Sequence, residues 1–258
     1  MKELLSKYGT LIVAIIALIQ PWVVYLWKKF VRKGEIKLYP TGSIEVGYSS
    51  YGPTIGLHGT FRCLNQDVFV SSISLEIVKQ KDKSTHSFDW GVFRSQKLTH
   101  KGEEAEFELP YGFMLSTSQP KRYNIAFFDT MTRNEMQDKI QNLKEEWIKL
   151  LIKEIQEKGI QDETIISKKY YDEFSQAPIH VENYTNLYHL CYWESGKYDL
   201  LLRVYTSKPN RIFEERWELS LREEEVKAIR LNALKILQDT CGVKSYGQYN
   251  FAYAKYED

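Results

Sequence analysis

Two short segments hold the side chains best suited to chemistry. The first is His180-x-Glu182 followed by His189-Leu-Cys191. Imidazole and thiolate are zinc-type ligands, and in a strand His189 and Cys191 would share a face because residues two apart do. The spacing matches no standard zinc pattern. The second is His58 with Cys63, a base and a nucleophile only where they meet. Strand alternation sets Cys63 beside Ile55, Leu57 and Phe61 on a core-facing side and His58 on the other, so an inert buried thiol is expected. The glycine-rich run 52–59 lacks the Lys-Ser/Thr of a phosphate loop and the spacing of a dinucleotide fingerprint. It reads as a bent or bulged strand. The chain has no H-E-x-x-H, C-x-x-C or G-x-S-x-G, and no catalytic residue, metal ligand or cofactor is assigned.

The elements that would position such groups are mostly strands. Residues 55–63 and 69–77 alternate apolar and polar side chains, separated by the turn-prone Asn65-Gln66-Asp67, the pattern of half-buried antiparallel strands. Further strands are expected at 43–48, 86–93, 104–109, 122–129, 186–193, 197–206 and 211–219, with turns at Lys81-Asp82-Lys83 and Lys208-Pro209-Asn210. Thr132-x-x-Glu135 has the form of a capping box. After it Met136, Ile140, Leu143, Trp147 and Leu150 recur at 4-3-4-3 spacing, an a/d seam two heptads long. The seam suits either packing on the chain's own sheet or a partner and oligomer contact. A second helix is expected at 163–174. A third opens at Ser220-x-x-Glu223 and runs to about 240 with Val226, Ile229, Ala233 and Leu237 inward, stopped by Gly242. The tail alternates Tyr249, Phe251 and Tyr253, an edge strand or an aromatic clasp. Together these predict a mainly β domain over 34–258, an antiparallel Ig-like or related sandwich with a helical insertion at about 132–175 and a C-terminal helix.

Ahead of this body, residues 8–27 run for 20 residues without a charge. At 1.5 Å per residue such a helix covers roughly 30 Å, the hydrocarbon thickness of a bilayer. No small-x-small cleavage pattern follows it, so a retained single transmembrane helix is expected over a cleaved leader. Pro21 falls near its end, where a lost helix bond is tolerated. Lys28, Lys29, Arg32 and Lys33 form the stronger basic flank, which places the body in the cytoplasm and the N-terminus outside a cell (inner) membrane. Trp22, Tyr25 and Trp27 would lie at the cytoplasmic interface.

Charge and cysteine content agree with that placement. The first 33 residues hold six basic groups and one acidic, leaving 29 basic against 33 acidic, a net −4, for the rest. An acidic body excludes nucleic acid as the main partner. Three cysteines, odd in number and without metal spacing, suit a reducing compartment. Lys outnumbers Arg 25 to 10, as in AT-rich bacterial genomes. The expected function is a non-enzymatic single-pass protein whose cytoplasmic domain binds a protein partner or oligomerises at the membrane, as a sensor, scaffold or defence-type accessory subunit. A tethered hydrolase or nuclease using His180, Glu182, His189 and Cys191 is one alternative. An effector that perturbs the bilayer through clustered helices is the other. The composition identifies no small-molecule ligand.

Overall fold

The computed structural model describes residues 2–27, 34–99, 102–158, 170–243 and 248–256. Helix α1 (Lys2–Leu26) comes first and contains Pro21. Side chains at 13–27 are all exposed, Trp22, Tyr25 and Trp27 among them. Among the described residues no helix is long and apolar enough to cross a membrane, so the expected transmembrane helix is not found there. Lys28, Lys29, Arg32 and Lys33 lie outside the described residues.

The body is mainly β. Its strands are β1 (Glu35–Pro40), β2 (Ile44–Ser49), β3 (Gly52–Leu64), β4 (Val68–Lys79), β5 (Thr85–Thr99), β6 (Gly102–Glu108), β7 (Phe113–Leu115), β8 (Lys121–Phe128), β9 (Gly196–Lys208), β10 (Asn210–Leu221) and β11 (Phe251–Ala254). All pairings are antiparallel, in the order β10-β9-β4-β5-β8-β3-β2-β11, with β1 added to β3, β6 to β5 and β7 to β4. The expected pair of stacked sheets is therefore one hydrogen-bonded sheet. The sheet curls, bringing Trp217 of β10 edge-on to Tyr256 just past β11, ring centroids 5.4 Å apart. Sequence alternation shows which residues turn inward, and a curled sheet and a sandwich impose the same alternation.

Register aligns the inward residues into rows. Ala252, Val46, Ile55, Phe127 and Trp90 are successive cross-strand partners over five strands. Leu202, Leu75 and Phe88 form a second row. Cross-strand apolar neighbours of this kind are the unit of sheet stability. The alternation slips once in β5, where a bulge falls between Trp90 and Val92. Trp90 and Phe93, three apart, both end up buried, in an edge-to-face contact at 4.8 Å.

Helices α2 (Thr130–Lys158), α3 (Pro178–Leu190), α4 (Glu223–Arg230) and α5 (Asn232–Thr240) share one hydrophobic cluster with the inward sheet face. Residues 170–174 are also helical; the expected helix at 163–174 otherwise lies outside the described residues. The a/d seam is used inside the chain. Met136, Ile140, Leu143 and Trp147 are buried, Leu150 is partly buried against the core, and α2 packs on α3 and α5. The Trp147 indole donates to Cys241 O at 2.8 Å and its ring meets Phe174 at 5.0 Å. A seam closed by its own chain offers no free face to a partner. The strand expected at 186–193 does not form: residues 186–190 end α3 and 191–193 are irregular. Pro178 occupies the first turn of α3, where the missing N–H costs nothing, and His180, Asn183 and Leu187 are buried at helical spacing.

Caps also differ from expectation. Helix α2 starts two residues before Thr132 because Asp129 caps it, accepting from Thr132 N at 3.0 Å and Thr132 Oγ1 at 2.9 Å. Tyr192 donates to the same carboxylate at 3.0 Å, and His86, stacked on Tyr192, has its Nδ1 3.7 Å from Asp129 Oδ2. At α4 the reciprocal bond falls two residues later than the Ser220 box: Glu225 accepts from Arg222 N at 2.8 Å. The expected long C-terminal helix is interrupted at Leu231 into α4 and α5. Val226, Ile229, Ala233 and Leu237 nonetheless face inward, and Gly242, at φ +67°, ends the run.

Burial acting alone would raise the Asp129 carboxyl, but the bonds from His86, Thr132 and Tyr192 outweigh it and hold it below its ordinary 3.8. Its stabilising effect is therefore complete above about pH 4 and disappears as pH falls through the depressed folded value. Asp129→Ala should lower unfolding free energy by about 2 kcal/mol in urea titrations at pH 7. Relative to wild type, the deficit should shrink on acidification below pH 4; a constant deficit down to pH 2 would contradict this assignment.

Candidate binding groove

The structure does not assemble the first sequence constellation. His180 and His189 are nine residues apart on α3, two and a half turns, and so point to opposite sides. His180 is buried, 2.9 Å from the Tyr171 hydroxyl, and burial lowers its pKa. Glu182 and His189 are exposed, whereas Cys191 is enclosed and burial raises its thiol to about 12. Among the described residues no group of three or more His, Cys, Asp or Glu is placed to hold a metal ion. Cys63 does face the core, its thiol donating to Gln66 O, while His58 lies on the opposite face of β3. All three cysteines are free and buried.

The outward face of β2, β3, β8 and β5 carries the most distinctive concavity, a groove of about 940 Å³. That volume is within the range of small-molecule sites. Each strand contributes its non-core side: Glu45 and Ser49 from β2, Thr54 and His58 from β3, Asn124 and Phe128 from β8, Val92 and Arg94 from β5. The β5 bulge puts Arg94 there. Phe88 and Trp90 face the core, and unbroken alternation would send residue 94 inward with them; the extra residue reverses the parity and sends Arg94 outward. Gly91 occupies the bulge because the Phe128 ring lies 2.1 Å from where a β-carbon would be.

Register gathers the polar groups. His58 and Asn124 are direct cross-strand partners, and Arg94 is one residue beyond the Phe93–Ile125 pair, next to Asn124. Arg94 Nη1 meets Glu45 Oε1 at 2.8 Å, with both side chains largely covered. The pair crosses over Gly56, where a β-carbon would stand 2.7 Å from Arg94 Nη2 and 3.1 Å from Glu45 Cβ. Burial, then the neighbouring Arg94 charge, lowers the His58 pKa, with Glu45 acting in the opposite sense; the ring is neutral at pH 7. Two polar atoms here are sealed from water without a hydrogen-bond partner, Arg94 Nε and Asn124 Oδ1. Buried polar atoms without a partner are costly, and others among the described residues, such as Asn183 Oδ1, lie outside the groove.

The walls are aromatic and aliphatic. Tyr51 stacks on Phe128 at 5.2 Å, with the Arg133 guanidinium 5.1 Å from the Tyr51 ring. Phe107 and Leu109, both strongly exposed, form one rim, and Tyr249 and Phe251 another. At one end Thr130 Oγ1 donates to Asp89 Oδ2 at 2.6 Å. Apolar walls with a few converging polar groups can hold and orient a ligand; nothing in them resembles a nucleophile activated by a base. Sequence reasoning located His58 but not Glu45, Arg94 or Asn124. The available signal was Gly56 in mid-strand, which shows only that something approaches the backbone closely there.

The ion pair should respond asymmetrically to mutation. Glu45→Ala leaves Arg94 half-buried without its counter-charge and should destabilise by about 1–3 kcal/mol, whereas Glu45→Ala combined with Arg94→Met should recover most of that loss. A double-mutant cycle by chemical denaturation measures this; a double variant no better than Glu45→Ala would remove the pair from the account.

No protein-family model matches this chain, and no curated protein matches it either.

Proposed function

We propose that this chain is a non-enzymatic, membrane-anchored receptor. Residues 1–33 tether it by a single pass, and the domain over 34–258 offers the outer-face groove to a ligand in the cytoplasm. The groove carries this reading: a ligand-sized hollow whose floor holds a covered ion pair, a neutral imidazole and two unpartnered polar atoms. Polar groups left unpaired in an apolar hollow lose less when a complementary molecule enters. The anchor is supported by the uncharged run 8–27, its basic C-terminal flank and the exposure of side chains 13–27, for which lipid is the physical remedy. Three free, buried cysteines fit a reducing interior.

A protein partner or second copy would take the signal onward. Phe107 and Leu109 are exposed on the groove rim, and exposed aromatics are enriched at recognition surfaces.

Two measurements test the proposal. After a carbonate wash the full chain should remain in the membrane pellet, and Ile16→Asp with Leu18→Asp should release it, each charge costing about 3 kcal/mol at a helix centre. Wild-type chain in the soluble fraction, or digestion beyond residue 40 by protease added outside intact cells, would end the anchor reading. Native mass spectrometry of the detergent-purified full chain should show a retained small molecule that Arg94→Ala loses. A wild-type chain of bare polypeptide mass, or one whose adduct persists in the variant, would end the receptor reading.

A further inference from the structure

We infer that the groove selects an uncharged, planar heteroaromatic ring with adjacent hydrogen-bond donors and acceptors on its edge, the chemistry of a purine nucleobase. This rests on the receptor reading above and assigns it a ligand class.

Charge excludes the main competitors. Glu45 already neutralises Arg94 at 2.8 Å, and Asp89 and Arg133 balance at the rim. A second carboxylate, as in a fatty acid, would approach Arg94 beside Glu45 and be repelled by it. A polynucleotide backbone would meet a body of net −4 with no basic stripe at this face. A neutral ligand meets neither obstacle.

Hydrogen-bond capacity then sets the edge. A guanidinium has five N–H donors in a planar fork. Glu45 uses Nη1, and Nε has no partner, so the Nε–Nη2 side is the unused half of the fork. That side matches two coplanar acceptors, the arrangement of the carbonyl oxygen and ring nitrogen on a guanine edge. Nε is sealed from solvent in this structure, so Arg94 must turn about its bond to Glu45 as the ring enters. Asn124 Oδ1 is an unpartnered acceptor, so it adds what Arg94 lacks, a site for a ligand N–H. Neutral His58, its cross-strand partner, offers one donor and one acceptor.

Shape agrees with a flat ring. The stacked Tyr51 and Phe128 and the Phe251 ring present aromatic surface within the same hollow, and base–aromatic stacking holds rings of this type irrespective of sequence. Gly56 lets the Arg94–Glu45 pair cross close to the strand, and Gly91 lets the Phe128 ring lie over the bulge.

Calorimetry on the detergent-solubilised full chain tests the assignment, with guanosine, adenosine, uridine and guanosine monophosphate as probes and decanoate as the acidic, apolar comparison. Guanosine should bind saturably and most tightly, with its monophosphate no tighter because the phosphate gains no counter-charge. Arg94→Lys keeps the charge opposite Glu45 but loses the fork, and Asn124→Leu keeps volume but loses the acceptor. Each should weaken guanosine about tenfold, with the unfolding midpoint within a few degrees of wild type. Absence of nucleoside binding at millimolar concentration, equal binding by all three chains, or preference for decanoate would overturn the base assignment. If nucleosides fail while the retained molecule seen by native mass spectrometry still depends on Arg94, the receptor survives with a different ligand; if both fail, both readings fall.

Discussion

In a strand, successive side chains point to opposite faces, and in this sheet one of those faces is wholly committed to a shared core. That constraint determines most of the rest. Rows such as Ala252–Val46–Ile55–Phe127–Trp90 run straight across five strands, and a one-residue slip in any of them would turn its apolar set toward water. Because register is pinned by the inner face, the outer face inherits its arrangement without having to stabilise it. Glu45, His58, Asn124 and Arg94 come together as a by-product of how their neighbours pack.

The helices are fastened to that inner face by polar contacts as well as by apolar area. Tyr48, buried in β2, donates to Leu187 O in α3 at 2.9 Å, and the Trp193 indole donates to Gly47 O at the same distance. Asn232 is fully buried at the start of α5 and bonds Tyr48 O, Asn250 O and Asn250 N. Each of these groups would be expensive to bury unpaired, so satisfying them fixes the helices in one position rather than many. The same logic applies to Asp129, which caps α2 while receiving Tyr192. These buried groups are satisfied; Arg94 Nε and Asn124 Oδ1 in the groove are not.

A single inserted residue links the two faces. The β5 bulge keeps Trp90 and Phe93 in the core and simultaneously sends Arg94 outward, over a floor lowered by Gly56. Charge on that floor is matched within the chain, so the groove has little net field. Selection there must come from hydrogen-bond geometry and stacking, which discriminate by shape rather than by attraction at a distance.

Much of this architecture was legible in the residues themselves. Period-two alternation marked β3, β4 and β9, the glycine and asparagine turns marked their ends, and the spacing of Val226, Ile229, Ala233 and Leu237 marked an inward helical face. Local patterns of this kind depend only on which side of an element is wet. The number of sheets, the identity of α3 and the use of the Met136–Trp147 seam were decided by contacts between residues far apart in the chain. The gathering of Glu45, His58, Arg94 and Asn124 was decided in the same way. Alternation gives Arg94 the wrong face, because a bulge is set by how two strands fit together and not by either strand alone.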